Sequence, residues 1–213
     1  MGRGLTAIIA VLLLGVHSPA AATDFTALVT DQDGKPVPNA VVSLLTDGTM
    51  PAPSTRLASE KTIDQRNETF IPLVTIVPKG GHIAFANNDQ TTHQVYSFSK
   101  VKQFEMTLNR GQTSSVAFEN AGIAALGCNI HDKMIAYAYV ADSPWTALTG
   151  EDGRITIQGV PAGNYRVQVW HPKFQPGRPL PSVALALSGD ATRWEGSVKL
   201  LPPRMARSHS GNY

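Results

Sequence analysis

The sequence predicts an all-β protein. Glycine and proline are frequent, at 18 and 15 of 213 residues, and they separate short runs rich in valine, isoleucine and threonine. That pattern is typical of short strands joined by tight turns. Hydrophobic residues make up 42% of the chain, which is enough for a buried core in one large or two small domains.

The charge pattern argues against a nucleic-acid-binding protein. The formal net charge is only +2, and the lysines and arginines are scattered along the chain. Binding to nucleic acid depends on basic side chains gathered on one element or face. We therefore expect no nucleic acid partner.

The N-terminus predicts export. Arg3 is followed by an apolar run at 5–16, which is short for a membrane span, and then by the small residues Ala20, Ala21 and Ala22. This is the pattern of a secretory signal peptide. We expect residues 1–22 to be removed, leaving a periplasmic or secreted bacterial protein without a membrane span. An uncleaved N-terminal anchor is the alternative.

The central segment, 61–142, predicts a Greek-key sandwich, because about seven short runs with strand character are separated by turn residues. The clearest of these runs are 70–77, 82–86, 93–98, 104–108, 114–118 and 135–140. The flanks, 23–60 and 143–201, have similar short strands and turns, and the Asp33-Gly34 turn predicts a hairpin. Residues 202–213 contain few apolar side chains, so we expect a disordered tail.

The chemistry of the chain centres on its single cysteine. Cys128 is followed by His131 and Met134 at three-residue intervals, in a predicted loop between two strands. A thiolate, two imidazoles and a weak axial thioether suit a copper ion that cycles between Cu(I) and Cu(II). His93, at the start of a predicted strand, is the natural candidate for the second imidazole. A core thiol and a partner disulfide are the other interpretations of Cys128.

Other metals and enzyme classes fit less well. Structural zinc rarely uses a thioether, and a multicopper enzyme needs His-x-His pairs, which the sequence lacks. No Gly-x-Ser-x-Gly element, Walker loop or Rossmann fingerprint occurs. We therefore expect no catalytic site, and we interpret His82 and His171 as structural residues.

The ligand loop resembles that of the cupredoxin (blue-copper) family, and its short Cys-x-x-His-x-x-Met form is most like that of the amicyanins. The run 63–140 is similar to the plastocyanin-type domain of methylamine-utilisation-like proteins. The resemblance implies one copper ion bound by four residues, an intense visible Cu(II)–thiolate absorption, and single-electron transfer to a redox protein partner. The implied ligands are His93, Cys128, His131 and Met134.

In this family the loop histidine carries electrons through an apolar surface, so the resemblance implies His131 as the exit, with Ile130, Ile135 and Trp145 as candidates for that surface. One position departs from the family pattern. Many cupredoxins have Asn after the first histidine ligand, where it braces the ligand loop, whereas this chain has Gln94.

The flanks resemble the beginning and end of a carboxypeptidase-regulatory-like (transthyretin-like) β-sandwich. The similar pieces are 29–40 and 150–165, and both consist mainly of turn residues. The resemblance implies that 23–60 and 143–201 form one discontinuous sandwich into which 61–142 is inserted. Two consecutive domains are the alternative.

Three functions remain open on the sequence alone. The first is electron transfer at a type 1 copper site. The second is storage or delivery of copper without redox turnover, although the five methionines form no cluster. The third is a structural or interaction module whose metal only stabilises the fold.

Overall fold

The computed structural model describes residues 22–48 and 56–202, and it confirms the all-β prediction. These residues form sixteen strands and contain no helix that could cross a membrane. The proposed signal sequence lies outside the described residues except for Ala22, which begins the first strand. The predicted disordered tail lies outside them from residue 203 onward.

In chain order the first eight strands are β1 (Ala22–Asp31), β2 (Val41–Leu45), β3 (Glu60–Arg66), β4 (Thr69–Ile71), β5 (Val74–Pro78), β6 (Gly81–Asn87), β7 (His93–Ser99) and β8 (Lys102–Leu108). The remaining eight are β9 (Thr113–Phe118), β10 (Gly122–Cys128), β11 (Ile135–Ala141), β12 (Thr146–Leu148), β13 (Arg154–Pro161), β14 (Gly163–Trp170), β15 (Ser182–Leu187) and β16 (Thr192–Val198). Strands such as β1, β6 and β7 alternate in burial along most of their length, as expected for sheets with one face in a core, whereas β2 is buried at four consecutive positions.

Strands β3 to β11 form a central sandwich of two sheets. Their orders are β4-β3-β6-β9 and β5-β11-β10-β7-β8, with parallel pairing of β3 to β6 and of β5 to β11. The inward residues of both sheets share one core, in which Ile83, Phe85 and Phe118 are fully buried. The ring of Phe104 covers this core, with its centroid 5.5 Å from that of Phe85.

The outer strands form a second sandwich. Its sheets are β13-β1-β16 and β12-β2-β14-β15, so strands from both ends of the chain are neighbours in the same sheets. Its core contains Phe25, Leu44 and Trp145, and the Trp145 indole makes an edge-to-face contact with Tyr165 at 5.8 Å. The division of the chain into separate domains stays a prediction.

The two sandwiches touch through an apolar cluster. Trp170 of β14 contacts the rings of Tyr137 and Tyr139 of β11, with centroids 5.4 and 5.8 Å apart. The hydroxyl of Tyr139 is hydrogen-bonded to Ser43 at 3.2 Å, and burial raises the pKa of this tyrosine. Both sandwiches therefore contribute buried side chains to one contact.

Two local predictions differ from the structure. The Asp33-Gly34 turn forms, with Gly34 N–H donating to the Asp31 carbonyl at 3.0 Å, and one antiparallel bridge pairs Thr30 with Pro36. The pairing ends there, because β1 and β2 enter different sheets. A proline has no N–H to donate to a strand ladder, and Pro36 and Pro38 lie directly after this turn. The run predicted as one strand at 70–77 is divided into β4 and β5.

The unpredicted strand β3 leads into β4 through the turn Asn67-Glu68. Both turn residues have positive φ, at 50° and 54°. Two consecutive residues in this region form the tight turn that matches the twist of an antiparallel pair. The sequence lacks the glycine that usually marks such a turn, which is why local pattern missed it.

His171 is buried, and it acts as a structural residue, as the sequence indicates. Its Nε2–H donates to the Pro38 carbonyl at 3.2 Å, and its Nδ1 accepts from the Lys173 N–H at 3.1 Å. Burial lowers the pKa of His171 to about 4. Protonation therefore opposes folding.

This geometry predicts a pH dependence of stability. Between pH 6.5 and about 4 the unfolded chain binds a proton at His171 that the folded chain does not, so the free energy of unfolding falls as the pH falls through this window. A shift of this size corresponds to about 3 kcal/mol. Denaturant unfolding of H171Q should show a shallower pH slope than wild type, whereas H82Q, at an exposed histidine, should not. Equal slopes for wild type and H171Q would contradict the prediction.

Candidate metal centre

Three of the four sequence-predicted ligands converge at one end of the central sandwich. His93 is the first residue of β7, Cys128 is the last residue of β10, and His131 lies in the loop that follows. Strands β7 and β10 are paired, with Cys128 opposite Val95. His93 lies two positions before Val95 and therefore on the same face of the sheet, which places its side chain near the cysteine. One ligand atom from each of His93, Cys128 and His131 lies within 4.8 Å of the others.

The sulfur of Cys128 and the Nδ1 atoms of the two histidines surround one small space. The Cys128 Sγ lies 3.7 Å from His93 Nδ1 and 4.0 Å from His131 Nδ1. The two Nδ1 atoms are 3.2 Å apart. His93 and Cys128 are buried, and the side chain of His131 is 20% exposed.

The outer nitrogens of both imidazoles face carboxylates. His93 Nε2 lies 3.1 Å from Asp89 Oδ2, and His131 Nε2 lies 3.4 Å from Glu68 Oε1. A carboxylate accepts, so the neutral ring of His93, whose Nε2 is hydrogen-bonded to Asp89, carries its proton on Nε2. The Nδ1 atoms of both rings face each other and the thiol sulfur.

Such a donor set fits a soft or borderline metal ion. Two nitrogen lone pairs at 3.2 Å repel unless a cation or a proton lies between them. Metal bonds of about 2.0 Å to nitrogen and about 2.3 Å to sulfur place ligand atoms roughly 3.3 to 4 Å apart around one ion. Imidazole and thiolate together favour copper or zinc over magnesium or calcium.

Met134 is buried beside this group. Its side chain belongs to the same core as Cys128, and its backbone N–H donates to the His131 carbonyl at 3.0 Å, which closes the ligand loop. Simple core packing and axial ligation both agree with this position. The assignment of all four residues to one ion stays a prediction.

Asp89 holds His93 on the side of the ring away from Cys128, and no local sequence pattern predicts this contact. Besides the imidazole, it accepts from the backbone N–H groups of Glu68 and Gln90, at 2.7 and 2.8 Å. The Glu68 N–H, followed by those of Gln90 and His93, lowers the pKa of Asp89, and burial opposes this effect. The buried amide of Asn87 shapes the turn by accepting from the Asp89 N–H at 2.9 Å.

Gln94 braces the loop that follows Cys128 through Asn129. Its backbone carbonyl accepts from the Asn129 N–H at 3.1 Å, and its side-chain oxygen accepts from Asn129 Nδ2 at 3.2 Å. Gln94 Nε2 also donates to Glu105. The residue after Cys128 is therefore tied to the residue after His93, which joins the two halves of the site.

No protein-family model matches the chain, and no curated protein is significantly similar to it. Solved structures with a partial likeness include a purple cupredoxin from Nitrosopumilus maritimus, at 20% identity and a TM-score of 0.36, covering 38% of this chain and 99% of the other. Amicyanin from Paracoccus versutus has 12% identity and a TM-score of 0.35, covering 47% and 97%. A reduced Cu(I) amicyanin mutant has 18% identity and a TM-score of 0.36, covering 44% and 97%.

Proposed function

We propose that this protein is an exported copper protein that transfers single electrons and catalyses no reaction of its own. One copper ion would be bound by His93, Cys128, His131 and Met134. The observation that carries the proposal is the convergence of two imidazole lone pairs and the only cysteine of the chain within 4.8 Å. Two imidazoles and a thiolate, with a weak thioether, suit both oxidation states of copper.

The surroundings of His131 support its role as the electron exit. It is the more exposed of the two histidines, and the neighbouring Ile130 and Ile135 are 53% and 48% exposed. Apolar side chains around a partly exposed metal ligand suit brief docking of a redox protein. Trp145, the third candidate for this surface, is buried in the outer sandwich and does not contribute.

The proposal includes export and a discontinuous architecture. The signal pattern at residues 1–22 supports a periplasmic or secreted location. The sharing of sheets by strands on both sides of 61–142 supports an insertion of the copper-binding segment into the outer sandwich.

Addition of Cu(II) to the purified metal-free protein tests the function. We expect binding of one equivalent, an intense visible absorption from thiolate-to-copper charge transfer, and reversible bleaching by a one-electron reductant. Tight Cu(I) binding without a stable coloured Cu(II) form would favour storage or delivery instead. A protein that remains colourless and binds neither ion would overturn the proposal and favour a structural module.

A further inference from the structure

Glu68, in the β3–β4 turn, contacts His131 through its side chain and, through its backbone, Asp89, the carboxylate that holds His93. We propose that Glu68 is a positioning residue of the metal site, which fixes both imidazoles and favours Cu(II) over Cu(I). This inference rests on the proposed function. It goes beyond the four proposed ligands, because Glu68 is not one of them and acts through His131 and through Asp89, the partner of His93.

The first contact is made by the backbone. The Glu68 N–H donates to Asp89 Oδ2 at 2.7 Å, and the same oxygen accepts from His93 Nε2 at 3.1 Å. The turn therefore holds the Asp89 carboxylate in place, and this carboxylate orients the His93 imidazole. This contact needs the position of the turn and does not need a particular side chain at residue 68.

The second contact is made by the side chain. Glu68 Oε1 lies 3.4 Å from His131 Nε2, on the side of the ring away from Cys128. A carboxylate on the outer nitrogen of a metal-bound histidine sets its tautomer and ring orientation and makes it a stronger donor. A stronger donor stabilises the more highly charged Cu(II), so the reduction potential falls.

The backbone of Glu68 is a further observation that points to its side chain. Its φ is 54°, in the left-handed region that glycine and asparagine adopt far more readily than glutamate. Non-glycine residues in this region gather at functional sites, where another requirement selects the side chain. The contact with His131 supplies such a requirement.

Two substitutions separate the side chain from the turn. E68Q keeps the size of the residue and removes its charge. E68G removes the side chain, allows the positive φ without strain, and keeps the N–H that binds Asp89. The matched control is E60Q, which removes the same charge from an exposed glutamate at the other end of β3.

The measurement is the reduction potential of the copper-loaded proteins. We expect E68Q and E68G each to lower the ratio of Cu(II) affinity to Cu(I) affinity by about tenfold. An effect of this size is typical when a residue that contacts a metal ligand, and not the metal, is replaced. A tenfold change is about 59 mV for one electron. The potential should rise by this amount in both variants, and it should remain unchanged in E60Q. Thermal unfolding of metal-free E68G should occur at the wild-type temperature or above.

A second readout does not depend on copper. In the metal-free protein, ¹⁵N-resolved NMR of the imidazoles should show a proton on His131 Nε2 that exchanges slowly in wild type and E60Q, and rapidly in E68G. Potentials of E68Q and E68G equal to that of E60Q, with the visible band intact, would overturn this inference and leave the proposed function standing. A wild-type protein that binds no copper would overturn both.

Discussion

Substitution of Cys128 by serine is expected to abolish the visible absorption. It should also lower Cu(II) affinity by more than the roughly tenfold to hundredfold expected when a residue that only hydrogen-bonds to a metal ligand is replaced. The thiolate is the donor from which charge transfer to Cu(II) arises. Serine has the same shape, but its hydroxyl does not lose its proton at neutral pH and is a poor ligand for copper. Optical titration with Cu(II), together with competition against a chelator, measures both effects.

The fold should survive the C128S substitution. Cys128 is 3% exposed, and serine is smaller than cysteine, so the hydroxyl fits the space that the sulfur occupies beside the two imidazoles. Thermal unfolding of the metal-free variant near the wild-type temperature is therefore the control. A C128S protein with an intact visible band would exclude Cys128 as a copper ligand.

Substitution of Asp89 by alanine should weaken the site and destabilise the fold together. The change removes the acceptor of His93 Nε2 and of two backbone N–H groups, those of Glu68 and Gln90. Of these donors only the His93 Nε2–H is buried, whereas the two backbone N–H groups are partly accessible to water. A buried donor left without a partner costs about 1 to 3 kcal/mol. We expect the free energy of unfolding of D89A to be lower by about 1 to 3 kcal/mol, and copper affinity to fall roughly tenfold to hundredfold.

The matched control for D89A is D31A. Asp31 also accepts from two backbone N–H groups of a turn, those of Asp33 and Lys35, each at 2.9 Å. That turn belongs to the outer sandwich and contacts none of the proposed ligands. D31A should lose stability and keep wild-type copper affinity, measured by denaturant unfolding and by chelator competition. Equal copper affinity in D89A and D31A would contradict a role for Asp89 at the site.

The fold class and most of the candidate site could be predicted because their signals are local. Strand alternation and turn residues repeat over a few positions and identify an all-β chain without knowledge of pairing. Cys128, His131 and Met134 belong to one short loop, so chain connectivity alone keeps them near each other. The prediction of His93 also depended on chain position, since it begins a strand after a polar turn.

The partners of these ligands could not be predicted, because they come from strands whose neighbours are far away in sequence. Glu68 reaches His131, and Asp89 accepts from Glu68, across the hairpin formed by β3 and β4 and the parallel pairing of β3 with β6. Neither contact leaves a periodic or compositional mark. The turn that carries Glu68 also lacks the glycine that would have revealed it.

The sequence by itself determined that the chain forms strands and turns, and that one loop gathers a thiol, an imidazole and a thioether. The tertiary structure alone decided which strands are neighbours. It joined β1 to β16 in parallel instead of to β2, and placed His93 against Cys128 through the pairing of β7 with β10. The physical reason is that a strand exposes the same hydrogen-bonding groups whatever its sequence, so its partner is chosen by burial of the whole sandwich and not by local pattern.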